Sequence, residues 1–475
     1  MRDIPRVQDK WTRNTLFALS AVALNQALRI SKGTLSPLAL CGLLIACLTL
    51  IGGVFGSPIR RVEALREKAV LAVLGGGLAL QFLELLEATL RYYFGTSFVH
   101  VFFATGIVAC GLLTLAATTG LAGSGISWFA AVVVMHFLLG VAFLHIENVP
   151  TIDVLVFQQD ASAALLSGHN PYAMTFPNIF GEGTPLYAPE LVANGRVLFG
   201  FPYPPLILFL CLPSYLLAGD VRYAHLVATT LSGLLIGFSG RSLLSKLAAV
   251  LFLFSPTVFY VVVQSWTEPF LVLLFSIVLF QRRLGRSPFL ALGLLVASKQ
   301  YVVLAVPLAA WLLIRERSLR AYSGLMLRVG AVSLAVTLPL ALWNFKAFFW
   351  SVVMVQFMQP FRPDALSFPA LVVRMGLPQP PIWPAFVALA MAGSFLLKRL
   401  HPSTASFACC LAVMYMVFFT LNKQAFLNYY FLVGACLCGA VAAADLKCAS
   451  DPGGLPQEKK GREQGRSAES TRSEK

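Results

Sequence analysis

Apolar stretches too long and too numerous for a water-soluble core set the first limit on this chain. They fall roughly at 14–30, 36–56, 69–91, 98–121, 127–146, 204–218, 222–240, 247–263, 269–281, 287–314, 324–343, 382–397, 405–421 and 430–446. Backbone inside a bilayer must satisfy its own hydrogen bonds, and the alternation of a membrane β-barrel is absent, so these stretches are read as helices. Composition agrees: of 475 residues, 58% are hydrophobic and 12% charged, where a soluble domain carries about 25% charged residues. That shortfall excludes an ordinary soluble enzyme, a disordered chain and a secreted disulfide scaffold. The expected fold is all-α, a polytopic bundle of about 12–14 membrane helices with large non-cytoplasmic loops carrying interfacial helices.

The formal net charge is +15. It is read as topological, because Lys and Arg hold loops on the cytoplasmic side. No basic patch is interleaved with aromatics in a polar domain, so nucleic acid is not an expected partner. Arg2, Arg6, Lys10 and Arg13 place the start inside, and two crossings return the chain inside at Arg60, Arg61, Arg66 and Lys68. Three more put Glu147 to Tyr203 outside. Counting back from the tail, Lys398, Arg399 and His401 lie inside, whereas 422–430 and 343–381 lie outside. The first helix is expected to be retained, since no small-residue cleavage site follows it. Cys41, Cys47, Cys110, Cys211, Cys409, Cys410, Cys436 and Cys438 sit in apolar stretches and Cys448 just beyond, so no disulfide framework or zinc spacing is implied. The organisation predicted is N-terminal helices over 1–126, a main membrane domain over 127–446 and a disordered cytoplasmic tail over 447–475.

The middle of the chain resists a simple count. Arg282, Arg283 and Arg286 look internal, and so do Arg315, Arg317 and Arg320, yet one apolar run of about 27 residues lies between them. One crossing breaks the charge rule, and two full spans do not fit at about 1.5 Å per residue. Two half-helices meeting near Lys299 and Gln300 do fit, and broken helices are tolerated where they are buried or line a wet cavity. One of 222–240, 247–263 and 269–281 must likewise fail to cross.

The outer loops carry the polar chemistry. A helix from Asp153 to Leu166 places Asp153, Phe157 and Asp160 on one stripe. Asp153 follows a span by only a few residues and is well placed to take a proton from a hydroxyl arriving from outside; helix capping by Thr151 or Asp153 is the plainer explanation. Gly168-His169-Asn170-Pro171-Tyr172 ends this helix with a turn, and Tyr203-Pro204-Pro205 opens the next span. Arg362, Asp364 and Ser367 cluster in the second outer loop, where Arg362 either pairs with Asp364 or holds a phosphate. Lys423, Gln424, Asn428 and Tyr429 form a third outer stretch, an interfacial belt or a sugar-binding one. Gln264, Trp266 and Glu268 lie between apolar segments. Lys299 within an apolar run is a functional hypothesis by default, with snorkelling to the interface as the alternative.

The string Asp153-Val-Leu-Val-Phe157, then Gly168-His-Asn-Pro-Tyr172, then Tyr203-Pro-Pro205 resembles the C-type (GT-C) integral membrane glycosyltransferases, in particular the family 87 polyprenol-phosphate-mannose-dependent enzymes and their bacterial relatives. Lys299, the RPDALS stretch and NKQAFLNYY add to the likeness, which covers about residues 127–446. The resemblance implies a GT-C-like fold in the plasma membrane with cytoplasmic termini. It implies transfer of a hexosyl group, mannosyl by likeness, from a polyprenyl-phosphate sugar to a glycan or lipid-linked acceptor on the non-cytoplasmic face. An acidic residue of the first outer loop is then the catalytic base, which maps onto Asp153, with Asp160 the second candidate. Phe157 departs from a Tyr in the pattern and no adjacent paired acids occur here, so the base stays open between the two. Lys299, Arg362 and Lys423 are the expected donor-phosphate ligands. Asn170, Tyr172, Tyr203, Glu268, Gln300, Asp364, Gln424, Asn428 and Tyr429 are the expected sugar or acceptor contacts. No cofactor is implied, and the outer loops offer no clear metal-ligand cluster. The rival readings are a transporter or flippase of lipid-linked sugars and a non-catalytic membrane scaffold.

Overall fold

A computed structural model describes residues 10–55, 63–92, 98–121, 127–146, 149–314 and 316–444. Arg2, Arg6, Arg60, Arg61, Arg315 and the tail from Asp451 lie outside the described residues. The chain is mostly helical. Its first part comprises α1 (Lys10–Ser31), α2 (Pro37–Phe55), α3 (Glu63–Tyr92), α4 (Phe98–Thr118), α5 (Ser127–Ile146) and α6 (Asp153–Leu166). A three-stranded antiparallel sheet of two-residue strands follows: β1 (Phe176–Pro177), β2 (Val192–Ala193) and β3 (Arg196–Val197), with β3 in the centre. Then come α7 (Pro205–Ala218), α8 (Arg222–Gly237), α9 (Leu243–Leu253), α10 (Val258–Val263), α11 (Glu268–Arg283), α12 (Phe289–Val296), α13 (Val302–Ala310) and α14 (Leu319–Trp343). Next are α15 (Phe345–Phe349), a π-helical turn (Trp350–Met354), α16 (Val355–Met358) and α17 (Phe368–Arg374). The last described helices are α18 (Trp383–Arg399), α19 (Thr404–Thr420) and α20 (Leu427–Ala443).

Among the described residues, five helices are long and apolar enough to cross a bilayer, at Pro37–Phe55, Lys68–Arg91, Phe98–Thr118, Ser127–His145 and Leu319–Trp343, and the bent pair Pro205–Ala218 with Arg222–Gly237 makes a sixth if it is one span. Their outward faces are apolar: Leu48 is 68% exposed, Leu112 61% and Leu327 75%. Apolar surface of this extent is unfavourable in water and suits lipid. α19 and α20, by contrast, are apolar on every side and buried nearly throughout, as a central helix pair should be. α1 packs against α2, α3 and α20.

Hydrogen bonds between distant loops define two faces. On the first, the turn after α1 meets the segments before α17 and α20: Leu35 N donates to the Asp364 carbonyl at 2.8 Å, and Leu366 N donates to the carbonyls of Gly33 and Ala425. Only glycine fits at 33, with φ +81 and an added Cβ 2.1 Å from Leu427 N. Trp350 Nε1 donates to the Leu198 carbonyl, and Gly200 N to Ser351 Oγ, which ties the loop before α7 to the π-helical turn. On the opposite face, Arg282 donates to the Leu313 carbonyl, Arg283 to that of Phe238, Arg317 to that of Leu400, and Arg399 to those of Val54 and Phe55. Side chains predicted to share one side of the membrane therefore cluster at one end.

The half-helices expected around Lys299 are present. α12 and α13 break between Ala297 and Tyr301, and Arg282 joins the far end of the pair back to its start at the basic face. α7 and α8 form a bent pair, a broken span or a re-entrant loop by length and composition. α7 begins beside Tyr203, whose carbonyl accepts from Tyr172 Oη. It ends at Gly219, whose carbonyl accepts from Gln159 Nε2 of α6 at 2.5 Å, and the chain then turns by 115° into α8. Both ends of α7 are held by the first loop and α6, while α8 runs on to the basic face. α9 and α10 together form an interrupted rise from that face.

Candidate active site

α6 starts where the sequence predicts, with Ile152 as N-cap and no side-chain cap bond. Asp153 Oδ1 instead accepts the N–H of Val154 at 2.8 Å, and Oδ2 accepts from Tyr187 Oη at 2.6 Å. Tyr187 is buried in the loop between β1 and β2. Asp153 keeps part of its surface exposed, yet protein atoms crowd the carboxylate; that desolvation pushes its pKa up. The Tyr187 hydrogen bond, the Val154 N–H and the positive charge of Arg362 oppose the rise. α6 is anchored by buried Gln158, whose Nε2 donates to the Ser265 carbonyl at 2.7 Å and whose Oε1 faces His225 Nε2 and Cys211 Sγ.

The Arg362 guanidinium lies within electrostatic reach of this carboxylate. Its fork pairs with Asp364 at 2.9 and 2.8 Å, its plane covers the Phe426 ring at 4.7 Å, and its backbone N–H is held by the Lys423 carbonyl. Lys423 Nζ donates to the Gln359 carbonyl at 2.5 Å, and burial pulls its pKa down. Gln424 donates to the Pro360 carbonyl. Lys423 and Gln424 thus brace the 359–362 segment that carries Arg362.

A second centre lies across Tyr203. Lys299 Nζ is 2.5 Å from Glu268 Oε1, an oxygen that also accepts from Asn428 at 3.1 Å and Tyr301 Oη at 3.2 Å. Glu268 is fully buried and Lys299 nearly so. The ammonium lies 5.7, 5.5 and 5.4 Å from the ring centroids of Tyr203, Tyr301 and Tyr429. Tyr203 joins the centres: burial raises its pKa well above the usual phenol, and the charges of Asp153 and Glu268 add to this.

Of the expected residues, Asp153, Tyr203, Glu268, Lys299, Arg362, Asp364, Asn428 and Tyr429 therefore belong to one connected set. Asp160 does not join it. It lies further along α6 under the charge of Arg196, with burial raising its pKa. Asn170 caps its own turn through Tyr172 N, Tyr172 is buried beneath the loop, and Gln300 donates to the carbonyls of Pro202 and Val352. These three hold backbone. Lys299, expected at the donor phosphate, is paired with the Glu268 carboxylate, and Arg362 with that of Asp364. The sequence reading missed Tyr187 and Tyr301; Tyr301 follows Lys299 by two positions, whereas nothing near Tyr187 signals its role. Among the described residues no group of three or more His, Cys, Asp or Glu could hold a metal. Comparison with protein-family models, with curated proteins and with solved structures finds no match for this chain.

Proposed function

We propose that this chain is an inverting membrane glycosyltransferase that moves a hexosyl group, mannosyl by resemblance, from a polyprenyl phosphate to an acceptor hydroxyl on the non-cytoplasmic face. The observation that carries the reading is Asp153: a crowded, part-exposed carboxylate held by Tyr187, with the Arg362 guanidinium within electrostatic reach. In the reaction the acceptor oxygen bonds to C1 of the sugar as the C1–O bond to phosphate breaks. The acceptor proton passes to Asp153, a step worth about 10²–10⁴-fold. The bonding pair leaves with the phosphate, and polyprenyl phosphate departs as a stable anion with Arg362 beside it. The donor's tail explains why the enzyme is built in a bilayer. In this reading α1–α5, α8, α9 with α10, α11, α14, α18, α19 and α20 cross the plasma membrane. α6 and α7 lie along the non-cytoplasmic face, α12 and α13 re-enter from the cytoplasm, and both termini are cytoplasmic.

The test is purified protein in lipid, supplied with a polyprenyl-phosphate hexose and an acceptor, with released polyprenyl phosphate measured. Asp153→Asn abolishes turnover and Asp160→Asn retains it; the opposite pattern reassigns the base. A second reading, transport of lipid-linked sugar, draws on the broken α12–α13 pair with a buried ion pair at its tip. Movement of labelled lipid across the bilayer without bond cleavage would decide for it.

A further inference from the structure

The pair at the tip of α12 and α13 is built unlike a phosphate site. Glu268 Oε1 collects three donors, whereas Oε2 of the same fully buried carboxylate has no hydrogen-bond partner. The neighbouring Thr267 hydroxyl is likewise buried without one. A buried charged acceptor without a donor is costlier than a neutral one, and among the unpaired buried atoms of the described residues Glu268 Oε2 is the one carboxylate oxygen. A phosphate brought to Lys299 would meet this unpaired carboxylate oxygen in a medium poor in water, whereas the carboxylate paired with Arg362, that of Asp364, is 47% exposed and screened by solvent. A neutral polyol suits both groups. Its hydroxyl would donate to Oε2, which has no exposed surface and is reached only as Lys299 or a tyrosine ring moves aside, and its next oxygen would accept from an ammonium that still has N–H groups to give. The half-buried rings of Tyr203, Tyr301 and Tyr429 around the ammonium offer the flat apolar faces against which a pyranose packs.

We propose that Glu268 and Lys299 read two neighbouring hydroxyls of the donor sugar, with Tyr203, Tyr301 and Tyr429 as the wall behind its ring. The substrate class is a pyranose with a vicinal hydroxyl pair, carried on a polyprenyl phosphate. This deepens the transferase reading and rests on it for the donor's identity. It moves Lys299 from the phosphate, which stays with Arg362, to the sugar. Glu268 and Lys299 then set which sugar is accepted, because a site built to hydrogen-bond a hydroxyl rejects the analogue that lacks it by as much as about 10⁴-fold.

The experiment uses the full chain in bilayer discs. Three probes are compared by equilibrium binding and by turnover: polyprenyl-phosphate mannose, its singly deoxygenated analogues, and polyprenyl phosphate without sugar. The wild type should disfavour at least one analogue by about 10²-fold or more. Glu268→Gln and Lys299→Met should shrink that preference to below about tenfold while binding polyprenyl phosphate as the wild type does. Arg362→Gln should do the reverse. A Glu268→Gln/Lys299→Gln double variant leaves no lone buried charge, so the comparison survives if a single variant fails to fold. Loss of polyprenyl phosphate binding in Lys299→Met, or a wild type indifferent to every analogue, overturns the proposal. A wild type that discriminates in binding but never cleaves the donor sinks the transferase reading and leaves the sugar site standing. Turnover with discrimination intact in both variants does the opposite.

Discussion

Two ionic clusters of similar chemistry sit at different depths in this molecule. Between α1 and α3, Arg29 contacts Glu84 at 3.4 Å and Glu87 at 3.1 Å, and Arg91 contacts Glu87 at 2.6 Å. Arg29, Glu87 and Arg91 are 38%, 42% and 73% exposed. At the tip of α12 and α13, one pair carries the whole charge, with Lys299 10% and Glu268 0% exposed. The first cluster shares its charges among several partners, of which Glu84 alone is buried, at 6% exposed. The second has been stripped of solvent, and a buried pair seldom repays that cost through stability alone. Depth, more than the residue types, separates a charge that decorates a helix end from one retained for a task.

The largest effect should come from unbalancing the deep pair. Glu268→Ala leaves Lys299 charged and without its carboxylate, a loss of about 3–5 kcal/mol by analogy with other broken buried pairs. Glu268→Met/Lys299→Met together removes both charges and should unfold close to the wild-type midpoint, while sugar selection disappears. Thermal unfolding in detergent measures both. A double variant as unstable as the single one would mean that the pair itself holds α11 to the α12–α13 tip.

Asp153 lies between these extremes of depth, and its neighbours make a pH prediction. Crowding raises its pKa above the ordinary carboxylate range, and Tyr187 opposes the rise. A base works only when deprotonated, so the rate should climb with pH through the carboxyl's pKa. Tyr187→Phe removes a bond to the charged form, so the pKa rises further and the climbing limb moves to higher pH. Below the limb the variant should be slower by about tenfold, which is the loss of about 1.4 kcal/mol expected of one charge-assisted bond. Well above the limb it should approach the wild-type rate. A uniform loss at every pH would instead assign Tyr187 to substrate binding.

These three depths were unequally legible in the sequence. The start and end of α6, and the break at Lys299, follow from local signals: a turn at Gly168, basic residues on both flanks of one run, and a run too short for two spans. The bend after α7 was not legible, because the helix's composition is that of a span and only the 115° turn into α8 and the ties to Tyr172 and Gln159 set it apart. The partners of the charges were also hidden. Tyr187 lies 34 positions from Asp153, and Asn428 160 positions from Glu268, and no periodicity links residues that far apart. The turn after α1 gave no hint that it would brace both the Arg362 segment and the start of α20, since its fit depends on the backbone at Leu427 coming within reach of Gly33.

The smallest effect belongs to the rim. Arg91→Ala removes a long, 73% exposed side chain from a carboxylate that Arg29 still contacts. An i, i+4 ion pair of this exposure is worth about 0.3–0.5 kcal/mol and weakens as salt rises. The unfolding midpoint should therefore fall by little in dilute buffer and by less at high ionic strength. Turnover and donor preference should stay unchanged, because no contact joins Arg91 to Asp153, Arg362 or Lys299 among the described residues. A salt-insensitive loss as large as that of Glu268→Ala would break the contrast between rim and interior. It would mean that α3 is held at this end by a charge working in a medium as poor in water as the one around Glu268.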